Sequence, residues 1–154
     1  MGVYQSVYTS IRERAQRANT TVGTDNYFFG PIYQVAGDES FPQVNITIDF
    51  NEADAVKSSS EVKTLNCNGV AKIVSRKGDY DETNNADGAT VDLISISEEL
   101  CDKLSLDNSD SNIISNLQIT SVSSPDLLDD LYIITINFTF LCVQAYGLSN
   151  RQLN

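Results

Sequence analysis

The residues of this chain with the most obvious chemical potential are its carboxylates. Asp79-Tyr-Asp81-Glu-Thr-Asn84 opens like a calcium-binding loop, with oxygen donors at alternate positions. Such a loop needs glycine at its sixth position for a sharp turn and a bidentate glutamate at its twelfth. Asn84 and Thr90 occupy those places, so the segment reads as a solvated acidic loop and no metal ion is expected there. Acids are also close together at Glu98/Glu99, Asp129/Asp130 and Asp79/Asp81. Glycoside chemistry needs two carboxyl groups facing each other across a bound sugar. Such sites usually add aromatic platforms, and tryptophan is absent. Neighbouring acids on a helix or turn fit solvation better.

Other catalytic equipment is also missing. The chain has no histidine, the commonest general base and metal ligand. That excludes Ser-His, Cys-His and His-zinc mechanisms within this chain. Cys67, Cys101 and Cys142 are odd in number and far apart, with no CxxC pair. They read as small buried hydrophobes in a reducing compartment. Three N-x-[ST] sequons, at Asn19, Asn45 and Asn137, fit chance in a chain rich in Asn and Thr. There is no Walker loop, dinucleotide-binding glycine pattern or nucleophile elbow. The expectation is a protein that is not an enzyme and takes no cofactor.

The elements that would position any function are clearer. From Leu131 to Val143 the chain alternates with period two, the signature of a strand with two distinct faces. Tyr132, Ile134, Ile136, Phe138, Phe140 and Cys142 make a core face. Ile133, Thr135, Asn137, Thr139, Leu141 and Val143 make a mixed face suited to half-burial or to a partner. Residues 2–18 predict an amphipathic helix through Val3, Val7, Ile11, Ala15 and Ala18, with Arg12, Glu13, Arg14 and Arg17 outside it. Gly2 and Ser6 loosely match a myristoylation pattern, but Tyr4 and Val7 read better as the start of that helix. Val44, Ile46 and Ile48 alternate with Asn45, Thr47 and Asp49 in a half-buried strand. Residues 61–76 predict one strand, or two with a break at Asn66-Cys67-Asn68-Gly69. Residues 89–106 predict a second helix through Leu93, Ile96 or Ser97, Leu100 and Leu104. Residues 113–122 predict another strand, and residues 123–130 a tight connection.

This order predicts an α+β fold: a single, mostly antiparallel sheet of about four strands with two helices packed on one face. Residues 1–144 would form one domain, followed by a polar C-terminal tail, 145–154. No stretch is apolar enough to cross a membrane, and MGVYQSVYTSIRER does not read as a signal peptide. The segment Asn26-Tyr-Phe-Phe-Gly-Pro-Ile-Tyr33 is too aromatic for a free linker and predicts packing on the sheet or into a neighbouring subunit.

Charge is unevenly placed. Residues 1–78 hold eight Lys/Arg and eight Asp/Glu, whereas residues 79–154 hold two and thirteen, so the whole net charge of −11 lies in the second half. Such a surface is suited to solubility, or to letting a polyanion pass without sticking.

The layout resembles the tail terminator (tail completion) proteins of long-tailed bacteriophages. The matching pieces are the first helix ending Ile11-Arg-Glu-Arg14, the Phe41-Pro-Gln-Val-Asn-Ile-Thr47 strand, the Glu98-Glu-Leu-Cys-Asp-Lys-Leu104 helix and the closing Asp130–Phe140 strand. The resemblance is one of pattern and order across most of the chain. It implies a ring, usually a hexamer, that caps the tail tube and meets the neck or connector protein, with double-stranded DNA passing through without specific binding. It further implies a place in the virion after assembly in the host cytoplasm. On that reading Tyr27, Phe28, Phe29, Ile133, Leu141 and Val143 are expected to contact subunits or partners. Asp79, Asp81, Glu82 and Asp87 are expected near the lumen. The alternatives are another phage neck, head–tail connector or tube-like protein, or a monomeric ligand-binding module with a pocket between helix and sheet.

Overall fold

The computed structural model describes residues 2–18, 20–30, 41–51, 57–58, 62–76, 85–106, 113–128 and 131–145. Helix α1 (Val3–Gln16) begins the chain. Then come β1 (Tyr27–Phe29), β2 (Gln43–Asp49), β3 (Lys57–Ser58) and β4 (Val62–Arg76). Helix α2 (Asn85–Leu106) crosses to β5 (Ile114–Val122), β6 (Asp126–Leu128) and β7 (Leu131–Ala145). The sheet runs β1-β2-β4-β7-β5, with β3 added to β4 and β6 to β7. Its long strands β2, β4, β7 and β5 pair antiparallel, as expected. Among the described residues three short strands raise the count to seven, and β1 pairs parallel to β2.

The centre of the sheet is the fifteen-residue ladder between β4 and β7, Val62↔Ala145 through Arg76↔Leu131. β4 is therefore a single strand, without the break considered at Asn66–Gly69. The period-two pattern of β7 sets its sides: Ile134, Ile136, Phe138, Phe140 and Cys142 are buried toward the helices. Leu65, Cys67, Ala71 and Ile73 of β4, and Val44, Ile46 and Ile48 of β2, continue that layer. The helices cover it with Val7, Ile11 and Ala15 from α1 and Leu93, Ile96, Leu100 and Leu104 from α2. Each large apolar side chain so buried stabilises the fold by roughly 1.5–3 kcal/mol before entropy is charged against it.

Two details depart from the sequence reading. Arg14 is buried, not outside α1. It lies three residues after Ile11 and seven after Val7, so the helical repeat carries it onto the covered side. Ile133, on the nominally open side of β7, is also buried. There it sits with Val74 in the row Gln43↔Val74↔Ile133, where Gln43 and Val74 are buried too. Elsewhere the helix-free face is mostly polar, with Val70 and Leu141 half-buried on it. Asn66, Asn68 and Lys72 are exposed, and Thr135, Asn137 and Thr139 are half-buried.

Candidate subunit interface

The end of the sheet at β1 is built from aromatic rings. Tyr4 stacks on Phe50 with ring centroids 3.8 Å apart and planes 14° apart. Tyr8 meets Phe29 at 4.9 Å and Phe50 at 6.1 Å. The Tyr8 hydroxyl accepts a hydrogen bond from the Ile48 backbone N–H at 3.0 Å, just beyond the point where β1 stops pairing with β2. The ring thus replaces a strand partner that β1 is too short to supply. Phe29, the last residue of β1, remains 40% exposed, and the Arg12 guanidinium lies 4.1 Å from its ring centroid. A cation over an aromatic face is attracted by the ring quadrupole. The pair forms a firm, amphipathic corner.

The residues proposed from sequence for partner contact divide sharply. Tyr27 is taken into the core, where burial raises its hydroxyl pKa and a hydrogen bond with Thr20 partly offsets that rise. Ile133 is likewise enclosed, at the bottom of a groove walled by Lys72, Pro125 and Leu128. Neither has much surface to offer another molecule. Phe28 and Leu141 are half-buried. The Val143 and Asp87 side chains, and Asp79, Asp81 and Glu82 altogether, lie outside the described residues.

At the opposite end of the sheet lies a groove between α2 and β5, about 650 Å³ in volume. Ile94, Val122 and the buried Ile134 supply its apolar lining, and Glu98 and Asp102 its acidic wall. Ile94 and Val122 are 39% and 45% exposed, and Leu127 and Leu128 of the nearby β6 are 48% and 55% exposed. The sequence signal for Ile94 was its position one residue off the Leu93–Leu100–Leu104 stripe. Leu127 and Leu128 were hidden in a segment expected to be a plain connection. The β5 edge does not invite simple strand addition. Its register with β7 shifts between Ser115 and Gln118 and again between Ile119 and Ser121, and Asn116 adopts φ 55°. Bulges of this kind twist an edge away from further pairing.

The cysteines are free. Cys67 and Cys142 are fully buried on adjacent central strands with sulfurs 3.4 Å apart. The hydrogen bond between them, then burial, push the Cys67 thiol far up. Cys101 is half-buried in the α2–β5 groove, and burial followed by the nearby Asp102 charge raise its pKa. A thiol reagent applied to the native protein is therefore expected to modify Cys101 first. Cys67 and Cys142 should follow on the order of a hundredfold more slowly, because they must wait for the sheet to open. Peptide mapping over a labelling time course checks this, and similar rates at all three positions would refute it.

Among the described residues no group of three or more His, Cys, Asp or Glu side chains is arranged to hold a metal ion, and no helix is long and apolar enough to cross a membrane. No protein-family model and no curated protein matches the sequence.

Proposed function

We propose that this chain is a ring-forming structural protein of a bacteriophage tail, a tail terminator that caps the tail tube and joins it to the neck. The observation that carries this reading is where the apolar surface sits. Among the described residues, the exposed large apolar side chains are Phe29 at the β1 end, and Ile94, Val122, Leu127 and Leu128 around the β5–β6 end. An exposed ring at one end of the sheet and a cluster of exposed apolar side chains at the other suit contacts with neighbours on either side. Leu93, Ile96, Leu100, Phe138 and Phe140 fill the layer between the helices and the centre of the sheet, so a ligand between the layers would be confined to the open α2–β5 groove at its edge. The pattern resemblance and the acidic second half support the same reading. DNA moving through a lumen is repelled by like charge instead of held. In this role the protein is not an enzyme, needs no cofactor and pairs with itself, a tube protein and a neck protein in the virion.

Native mass spectrometry of the purified chain across a concentration series tests the proposal. A discrete ring, six copies by the resemblance, is the expected result. A chain that stays monomeric up to high micromolar concentration overturns it, and open-ended polymers point to a tube subunit.

A further inference from the structure

Resting on the ring reading, we infer that the ring closes head to tail: the Arg12–Phe29 corner of one copy enters the α2–β5 groove of the next. β1 and β5 are the two ends of the five-strand path, so about 19 Å of sheet separates the two features within one chain. One copy's corner cannot reach its own groove. α1 and α2 lie on the same side of the sheet, so both features belong to the helical layer and neighbours can join side by side without inverting.

The chemistry of the two surfaces matches. The corner presents an exposed aromatic ring with a guanidinium held over it at 4.1 Å. The groove offers an apolar lining of Ile94, Val122 and Ile134 for the ring, and the carboxylates of Glu98 and Asp102 for the cation. Glu13 and Asp25 share the corner's end of the molecule, so the complementarity belongs to the Arg12–Phe29 pair and not to the whole end. The bulged β5 edge disfavours joining copies by continuing the sheet, which leaves side-chain docking as the means of contact. A contact between two different surfaces is heterologous and generates a ring when its rotation closes.

Charge exchange and cross-linking test the assignment. Arg12→Glu alone and Glu98→Arg alone should each raise the concentration for half-assembly at least tenfold. Circular dichroism should show both variants folded, since Arg12 is half-buried and Glu98 exposed. Combining the two in one chain, or mixing the two single variants, should restore rings, because each reversed charge again meets its opposite. For the cross-link, Glu13→Cys places a thiol on the exposed surface beside the corner, keeping Arg12 and Phe29, within reach of the natural Cys101 of the neighbour. Oxidation by diamide, which accepts the two hydrogen atoms as the disulfide forms, should give a ladder of covalent multimers that Cys101→Ser removes. If the wild type forms rings, and both single variants assemble at the same concentration or the cysteine variant gives no ladder, the interface is overturned while the ring stands. A wild-type chain that never assembles would overturn both.

Discussion

Replacing Gly69 with alanine is expected to destabilise the protein by about 3 kcal/mol, lowering Tm by about 10 °C. Gly69 lies directly opposite Phe138 in the β4–β7 ladder, on the helix-covered side. A Cβ at Gly69 would stand 2.2 Å from the Cε2 and Cζ atoms of the Phe138 ring and 2.9 Å from Cδ2. Real carbon atoms do not approach so closely, so ring or strand must shift. The ring has little room: Phe138 is 1% exposed and stacks near Phe140, with centroids 6.0 Å apart. The missing side chain is thus the space the ring occupies, and the cost of filling it is steric, not conformational. A double-mutant cycle isolates that cause. Phe138→Ala alone should cost roughly 3–5 kcal/mol through the cavity it leaves. Adding Gly69→Ala to it should cost little more, because the ring it would strike is gone, giving a coupling of about 3 kcal/mol. Urea unfolding of the four proteins measures it. Additive costs, or a harmless Gly69→Ala, would mean that the strands separate easily and that the glycine is not reserved for the ring.

That glycine also shows where the sequence ceases to be legible. Asn66-Cys67-Asn68-Gly69 has the composition of a turn, and nothing local says that a phenylalanine sixty-nine positions later lies across it. The reading of residues 131–143 succeeded because period-two alternation is a local property, and the strand it predicts is bounded by the same residues that form the core. Both helices were visible for the same reason, from repeats such as Val7–Ile11–Ala15. β1 and β6 were not, since three residues carry no period and the parallel pairing of β1 with β2 is set by the sheet. Sidedness also misled at Tyr27 and Ile133. Alternation says which residues share a face, but not whether another part of the chain covers that face. The groove was the least legible feature. Its apolar lining joins Ile94 to Val122 and Ile134, and only the fold brings α2 beside β5.

Arg14 gives the second large effect, and it combines helix periodicity with electrostatics. The residue is 3% exposed, and its Nη1 donates to the Leu104 carbonyl at 2.6 Å. Leu104 lies in the last turn of α2, where the final carbonyls have no partner within the helix and carry the negative end of its dipole. The guanidinium satisfies one of those oxygens, places a cation where the dipole favours it, and joins α1 to α2. Arg14→Met keeps most of the aliphatic volume but leaves the Leu104 oxygen without this donor. The expected loss is about 2 kcal/mol, the usual cost of an abandoned buried acceptor. Arg14→Ala adds a cavity and should cost about 3 kcal/mol. Arg14→Lys keeps the charge but not the planar fork, and should fall between wild type and Arg14→Met. Because the contact is buried, these differences should change little between low and moderate salt, unlike those of a surface pair. Denaturant midpoints at unchanged m-value provide the measurement. If Arg14→Met unfolds at the wild-type midpoint, the guanidinium does not hold the two helices together, and their packing rests on the apolar stripe alone.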